Sequence, residues 1–171
     1  PLCDALTGRE DGRGMLQALE RDNLFVVPLD DKRHWFRYHH LFADVLRARA
    51  LAEQPRQVPV LHQQASAWFE RHGLPSDAVR HALAAEDFGR AADLLEQTGR
   101  AMLTTKQDAF LDWLKALPDE VIRARPVLGV YYALALLPGD LAAAEARLRD
   151  AEGVLDQASA RPEAAAVEMV I

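Results

Sequence analysis

The stretch LFVVPLDDKRHWFRYHHLFADVLRAR, residues 24–49, decides how the first part of the chain folds. The apolar run Leu24 to Leu29 has the length of a strand, and the polar segment Asp30 to Arg33 follows it. His34 to Tyr38 is rich in aromatic residues, which favour strands, so the two runs predict a β-hairpin with a loop of four or five residues. From His39 onward the apolar residues recur at helical spacing, which predicts a helix. These apolar residues are Leu41, Phe42, Val45 and Leu46.

Two further helices are predicted before this hairpin. The first covers Leu2 to Leu6 and ends at Thr7-Gly8. Asp11 is placed to cap the second helix, which runs to about Asp22. Two helices, a hairpin and a third helix follow one another in the order of a winged-helix domain. We assign this domain to residues 1–52.

The rest of the chain is predicted to be helical. Residues 52–58, AEQPRQV, are polar and contain a proline, so we expect the domain boundary there. The segments 85–96, AEDFGRAADLLE, and 138–149, PGDLAAAEARLR, open in a similar way, which indicates a degenerate repeat of helical hairpins. We therefore predict a mainly α protein in which a tetratricopeptide-like α-solenoid occupies residues 59–171. A compact helical bundle is the alternative.

The helix limits of this second part follow from capping and breaking residues. Ser76 and Asp87 are predicted to cap helices, and Gly73 and Gly99 are predicted to end them. Further helices are predicted over Phe110 to Leu117, Pro126 to Leu137 and Asp140 to about Asp156, with a short turn after Pro118.

The cysteine content and the two ends of the chain indicate the compartment in which the protein acts and the extent of the chain. The single cysteine, Cys3, excludes an intramolecular disulfide and a zinc site with several cysteines, and it fits a reducing cytoplasm, where we expect the protein to act. No run of about 18 apolar residues and no secretion signal is visible, so we expect no membrane association. The chain begins at Pro1 and closes on MVI without a helix stop, so we expect both ends to be cuts in a longer polypeptide.

Charge argues against nucleic-acid binding by this chain. Residues 1–50 contain 8 Lys and Arg against 8 Asp and Glu, and residues 51–171 contain 12 against 18. A protein that binds nucleic acid needs a basic face to neutralise phosphates. Neither part supplies a surplus of positive charge, so we expect no direct contact with DNA.

The histidine pair His39-His40 is the sharpest candidate for a functional site. It lies where a strand gives way to a helix, and a helix N-terminus favours an anion to which a histidine can donate a proton. The alternative is that His39 caps or packs the start of the helix. A zinc site formed by His34, His39 and His40 is not predicted, because no further ligand has the usual spacing. No catalytic residue is predicted, since the chain has no GxxxxGK[ST] loop and no other catalytic motif.

Several segments resemble the LuxR-type transcriptional activators of the STAND class of ATPases. The sequences LCDALTG, ERDNLFVVPLDD and YHHLFADVLR are similar to the winged-helix region of that family. Residues 61–96, LHQQASAWFERHGLPSDAVRHALAAEDFGRAADLLE, resemble the beginning of its helical sensor. The resemblance implies a domain order of ATPase, winged helix, solenoid sensor and LuxR-type DNA-binding domain in the intact protein.

The same resemblance gives His39 a role. YHHL is similar to the family motif written MHD followed by leucine, in which the histidine contacts the β-phosphate of ADP and holds the inactive state. Tyr38 then takes the place of the Met, His40 that of the Asp and Leu41 that of the Leu. This implies that His39 senses ADP in the intact protein, where ATP and ADP are the cofactors. The chain alone should hold no nucleotide, because one histidine cannot cradle phosphates.

The resemblance also implies partners. They are the protein's own ATPase and DNA-binding domains, and an inducer or protein partner of unknown identity on the solenoid. Two other classes of function stay open at this point. One is a stand-alone tetratricopeptide-type scaffold for protein interactions, and the other is a DNA-binding winged helix with a helical dimerisation arm.

Overall fold

The structure, a computed structural model, describes the backbone of residues 1–168 and the side chains of residues 1–156. It is mainly helical, with a small antiparallel hairpin near the N-terminus, as the sequence predicts. The chain divides into two compact units, residues 1–74 (the first unit) and 75–171 (the second unit). Within the described part of the chain, no helix combines the length and the apolar character needed to cross a membrane.

The first unit has the predicted winged-helix order and one additional helix. Its elements are α1 (Leu2–Thr7), α2 (Gly12–Arg21), β1 (Val26–Pro28), β2 (Phe36–Tyr38), α3 (His40–Glu53) and α4 (Gln57–Arg71). β1 and β2 pair antiparallel, with Val26 opposite Tyr38 and Pro28 opposite Phe36. The Leu29 N–H donates to the Trp35 carbonyl at 2.8 Å, which leaves residues 30–34 as the loop of the hairpin.

The start of α2 is stabilised differently from the prediction. Asp11 occupies the N-cap position, but its carboxylate accepts hydrogen bonds from Arg9 at 2.8 and 2.9 Å and does not cap the helix. The N–H of Gly12 instead donates to Asp4 Oδ1 at 2.7 Å. The predicted capping by Asp11 is therefore wrong, because a carboxylate from α1 reaches the helix end while Arg9 occupies Asp11.

The helix α4 packs within the first unit. Only residues 54–56 separate α3 from α4, and α1 also packs against α4. The Trp35 ring lies 6.2 Å from the Trp68 ring, edge to face, and 6.4 Å from the Phe69 ring, nearly parallel to it. Trp68 and Phe69 are buried. The division into units thus falls after Leu74, whereas the predicted domains, 1–52 and 59–171, divide the chain earlier and stay a prediction.

The second unit consists of helices alone among its described residues. They are α5 (Pro75–Ala84), α6 (Phe88–Thr105), α7 (Gln107–Ala116), α8 (Asp119–Arg123), α9 (Pro126–Leu136) and α10 (Leu141–Glu168). The predicted cap Asp87 is confirmed, since its carboxylate accepts a hydrogen bond from the Arg90 N–H at 3.2 Å. The Asp140 carboxylate accepts one from the Ala143 N–H at 2.9 Å. The core of the unit is closed around fully buried side chains: Leu95, Phe110, Leu114 and Leu128.

Three predicted helix limits in the second unit are wrong. Gly99 does not end a helix, because α6 continues to Thr105, and a Cβ at Gly99 would lie 2.6 Å from the Tyr131 ring. The glycine thus allows α9 to approach α6 closely. Ser76 is not a cap, because α5 begins at Pro75 and the Ser76 hydroxyl accepts a hydrogen bond from Lys106 Nζ at 2.9 Å. The last helix extends to Glu168, beyond the predicted end near Asp156.

Candidate functional site

The backbone of His39 is fixed on both sides at the junction of β2 and α3. Its N–H donates to the Phe25 carbonyl at 2.7 Å, which continues the hairpin ladder, and its own carbonyl accepts from the Ala43 N–H at 2.9 Å, which starts the helix. His39 is the N-cap residue of α3, but its side chain does not cap the helix. The exposed imidazole lies 4.3 Å from the His40 ring, centroid to centroid. The fold therefore holds this histidine in place through its backbone.

An open apolar groove of about 350 Å³ lies beside this histidine. Its lining residues are Phe25, His39, Leu41, Phe42 and Val45. The ring of Phe42 lies 5.0 Å from the Phe25 ring and 5.6 Å from the Tyr38 ring. Leu41 and Val45 are 65% and 62% exposed. Contiguous exposed apolar side chains are typical of a surface that another protein segment or a ligand covers.

Phe25 contributes to this groove from a strained backbone conformation. Its φ of 57° lies in the left-handed region, which a bulky side chain rarely adopts. Such strain costs on the order of 1–3 kcal/mol and tends to occur at binding sites and switch regions. The hydrogen bond from His39 to the Phe25 carbonyl and the ring contact with Phe42 hold the residue there. Phe25 is consequently exposed at the groove and is not packed in the core.

The start of α3 suits an anionic group. No side chain of the described residues caps this helix, so the N–H groups of its first turn and the helix dipole make the end electropositive. Asp44, which lies one turn further along α3, is paired with Arg47 at 3.0 Å. The chain contains no GxxxxGK[ST] loop, however. His39 and the helix end can therefore contribute contacts to a phosphate but cannot enclose one.

The three histidines of this region do not come together. His34 lies before β2, where its Nδ1 is 3.8 Å from Asp30 Oδ2, whereas His39 and His40 follow β2. Among the residues that the structure describes, no group of three His, Cys, Asp or Glu side chains could hold a metal ion.

Asp30 and Trp35 have roles that the sequence reasoning missed. Asp30 Oδ1 accepts hydrogen bonds from the N–H groups of Trp35 at 2.8 Å and His34 at 2.9 Å. The bond from Trp35, together with that from His34, holds the pKa of the Asp30 carboxyl below its usual value. Asp30 thereby shapes the hairpin loop and places Trp35 beside α4. An aspartate at the start of a polar turn is a recognisable signal for such a loop.

The fold and this site define a winged-helix domain with a histidine at the start of its last helix, followed by a helical array. Residues 1–58 match the family described as MalT winged helix domain. The family resemblance predicted from the sequence is thereby confirmed.

Two curated relatives extend the similarity beyond this domain. The chain is 40% identical over 139 residues to the serine/threonine-protein kinase PknK of Mycobacterium tuberculosis, which covers 80% of this chain and 12% of the relative. It is 36% identical over 158 residues to the HTH-type transcriptional regulator MalT of Yersinia pestis, which covers 92% of this chain and 17% of the relative. The chain thus spans less than a fifth of the length of these relatives, and the homology includes helices beyond residue 58.

Proposed function

We propose that this chain is the winged-helix lid and the first part of the helical sensor of a larger bacterial transcription regulator of the STAND class. In this proposal the intact protein also contains an ATPase domain and a LuxR-type DNA-binding domain, and it acts in the cytoplasm. The similarity to an HTH-type transcriptional regulator and to a serine/threonine-protein kinase supports this role. The small share of each relative that the chain spans supports its being one part of a longer protein.

The observation that carries the proposal is the position of His39 beside an exposed apolar groove at the uncapped start of α3. Burial of apolar side chains such as Leu41 and Val45 under another domain lowers the free energy of the protein. An electropositive helix end next to them suits a bound phosphate group. A lid that closes over a nucleotide held by a neighbouring domain needs both features on one face.

The proposed mechanism uses the winged helix as a rigid body with two positions. In the resting position, the groove lies against the ATPase domain and the imidazole of His39 donates a hydrogen bond to ADP. An inducer or ATP favours a second position, in which this contact is lost and the protein is active. The helical array would bind the inducer or a protein partner. The described residues themselves have no proposed catalytic role.

Substitution of His39 in the intact protein tests this function. We expect His39→Ala to raise transcription in the absence of inducer and to speed the release of ADP. A hydrogen bond to a charged group contributes roughly 1.5–3 kcal/mol, which shifts the resting equilibrium about 10- to 100-fold. A reporter assay and the rate of ADP dissociation measure the two effects.

His40→Ala is the matched control, because His40 is the neighbouring exposed imidazole. It should change either quantity much less. Unchanged basal transcription in His39→Ala, at normal protein abundance, would contradict the role of His39. A larger effect of His40→Ala would mean that His40, and not His39, has this role.

Direct DNA binding by the winged helix is less well supported. Residues 1–50 have no net charge, and the loop of the hairpin carries the acidic pair Asp30 and Asp31. A phosphate backbone attracts a basic surface and repels such a loop. A salt-dependent mobility shift of duplex DNA by this chain would favour the DNA-binding alternative instead.

A further inference from the structure

The hydrogen bonds of the hairpin change at the pair Phe25 and His39. The register of β1 and β2 places these residues opposite each other, one step beyond Val26 and Tyr38. In a regular antiparallel ladder, a hydrogen-bonded pair exchanges two bonds. Here the His39 N–H donates to the Phe25 carbonyl at 2.7 Å, but the His39 carbonyl accepts from the Ala43 N–H at 2.9 Å. His39 thus belongs to the ladder through its N–H and to α3 through its carbonyl.

The backbone of Phe25 departs from the strand conformation at this pair. Its φ is 57°, whereas a residue in an antiparallel strand has a φ near about −140°. A change of φ rotates the N–H of a residue relative to its carbonyl. Phe25 can therefore accept the hydrogen bond from His39 without donating one back. This leaves the His39 carbonyl to accept the first hydrogen bond of α3.

The side chain of Phe25 does not favour this conformation. Asn23, two residues earlier, is also left-handed, with a φ of 54°, and asparagine is one of the residues that tolerate it. A phenylalanine has no such tolerance. Phe25 is also 57% exposed, so burial of its ring contributes little to the fold. The contacts that the left-handed conformation allows are therefore the reason to look for a function.

Those contacts hold the start of α3 at two points. The carbonyl of Phe25 binds the His39 N–H, and its ring lies 5.0 Å from the Phe42 ring. Phe42 is three residues after His39, so the two lie on the same face of the helix. One residue of the hairpin thereby fixes the backbone from which the His39 imidazole projects.

We propose that Phe25 is the positioning residue of His39, and that it acts through its left-handed backbone. This inference rests on the proposed function, in which His39 donates a hydrogen bond to ADP. Phe25 holds the imidazole where it can reach the phosphate and does not itself bind the nucleotide. A residue that resists the left-handed conformation would return to the strand conformation. Its N–H would then compete with that of Ala43 for the His39 carbonyl.

Two substitutions in the intact protein separate the backbone of Phe25 from its apolar side chain. Phe25→Leu and Phe25→Ile introduce isomeric aliphatic side chains, but β-branched isoleucine resists the left-handed conformation more strongly. Hydrogen exchange of the His39 N–H without nucleotide measures the bond to the carbonyl at position 25. The Leu29 N–H, which donates to the Trp35 carbonyl at 2.8 Å, is the internal reference for the rest of the hairpin. The rate of ADP dissociation measures the consequence for the site.

We expect the His39 N–H to exchange about fivefold or more faster in Phe25→Ile than in Phe25→Leu. The Leu29 N–H should exchange equally in the two variants. ADP should dissociate several-fold faster from Phe25→Ile than from Phe25→Leu. Asn23→Ala is the control, because it strains the neighbouring left-handed residue, whose N–H donates to the Glu20 carbonyl at 3.0 Å. It should change the exchange of the His39 N–H and the release of ADP much less.

Phe25→Gly provides a second test if Phe25→Ile does not fold. Glycine adopts the left-handed conformation freely, so the His39 N–H should exchange about as slowly as in the wild type although the ring is lost. Faster exchange in Phe25→Gly, or equal exchange in Phe25→Leu and Phe25→Ile, would overturn the proposal. Equal effects of Asn23→Ala and Phe25→Ile would also overturn it, because the turn as a whole would then be responsible.

The failure of this proposal is distinguishable from the failure of the proposed function. If His39→Ala speeds the release of ADP but Phe25→Leu and Phe25→Ile release it equally, Phe25 does not position His39 and the proposed function stands. If His39→Ala leaves the release of ADP unchanged, the proposed function fails, and with it the role of Phe25 in binding ADP. The exchange of the His39 N–H without nucleotide still shows in that case whether Phe25 holds His39.

Discussion

The two units differ in how completely they bury their apolar side chains. The second unit encloses Phe110 and Leu114 fully, together with residues from every long helix around them. In the first unit, α3 has no buried residue, and Phe25, Leu41 and Val45 are mostly exposed. Burial of apolar surface is the main source of folding stability. The second unit therefore has a closed core, although it also exposes apolar side chains on α9 and α10, whereas the first unit leaves the apolar side chains of α3 exposed.

The largest effect is expected in the closed core of the second unit. Phe110 is fully buried, and its ring contacts the Tyr131 ring and lies beside Gly99. Phe110→Ala should lower the free energy of unfolding by about 3–5 kcal/mol, because it leaves a cavity. Asp112→Ala, at an exposed position of the same helix, should cost under about 0.5 kcal/mol. Chemical denaturation followed by circular dichroism measures both, and similar losses would mean that this core is not closed.

A somewhat smaller effect is expected from Trp68, which supports the thinner core of the first unit. Trp68 is 7% exposed and its indole stacks on the His72 ring at 3.7 Å and meets Trp35 edge to face. We expect Trp68→Ala to destabilise the chain by about 3 kcal/mol, the lower end for a large aromatic residue, because Trp35 is itself partly exposed. Gln63→Ala, at an exposed position of α4, is the control and should cost under about 0.5 kcal/mol. Equal, small losses in denaturation would place Trp68 on a surface and not in a core.

The smallest effect on stability is expected at the groove. Val45→Ala should change the free energy of unfolding of this chain by less than about 0.5 kcal/mol, since the side chain is mostly exposed and alanine favours a helix. In the intact protein the same variant should raise transcription without inducer, because it removes apolar contact from the proposed docking face. Denaturation of this chain and a reporter assay on the intact protein give the two values. A large loss of stability together with normal basal transcription would mean that Val45 serves the fold alone.

The sequence predicts those features that depend on local patterns. The hairpin follows from two strand-length runs around a polar turn, and the winged-helix order follows from the helices on either side. Asp87 caps its helix as predicted, because it stands directly before an apolar helical pattern. The position of His39 at the junction of strand and helix is also predicted, since the periodicity changes there.

Features that depend on contacts between residues far apart in the chain cannot be predicted from sequence patterns. A glycine such as Gly99 is typical of a helix end. Its presence inside α6 is explained only by the close approach of Tyr131, from a helix some thirty residues later. Asp11 fits the capping pattern, but Arg9 and Asp4 redistribute the hydrogen bonds. The grouping of α4 with the first unit depends on the contacts of Trp35 with Trp68 and Phe69, which lie more than thirty residues further along the chain. The exposure of Leu41 and Val45 could not be predicted either, because the sequence pattern shows that one face of the helix is apolar but not whether another element covers it.

In the proposed mechanism, another domain covers the groove beside His39 in the resting state of the intact protein. Hydrogen exchange measures it directly, by comparing the backbone N–H groups of residues 39–46 with ADP bound and with ATP and inducer bound. We expect exchange with ADP to be slower by about tenfold or more, which corresponds to about 1.4 kcal/mol of protection. Residues 110–114, in the closed core of the second unit, should exchange equally in both states. Equal exchange of residues 39–46 in the two states would contradict the claim that this face is a nucleotide-dependent lid.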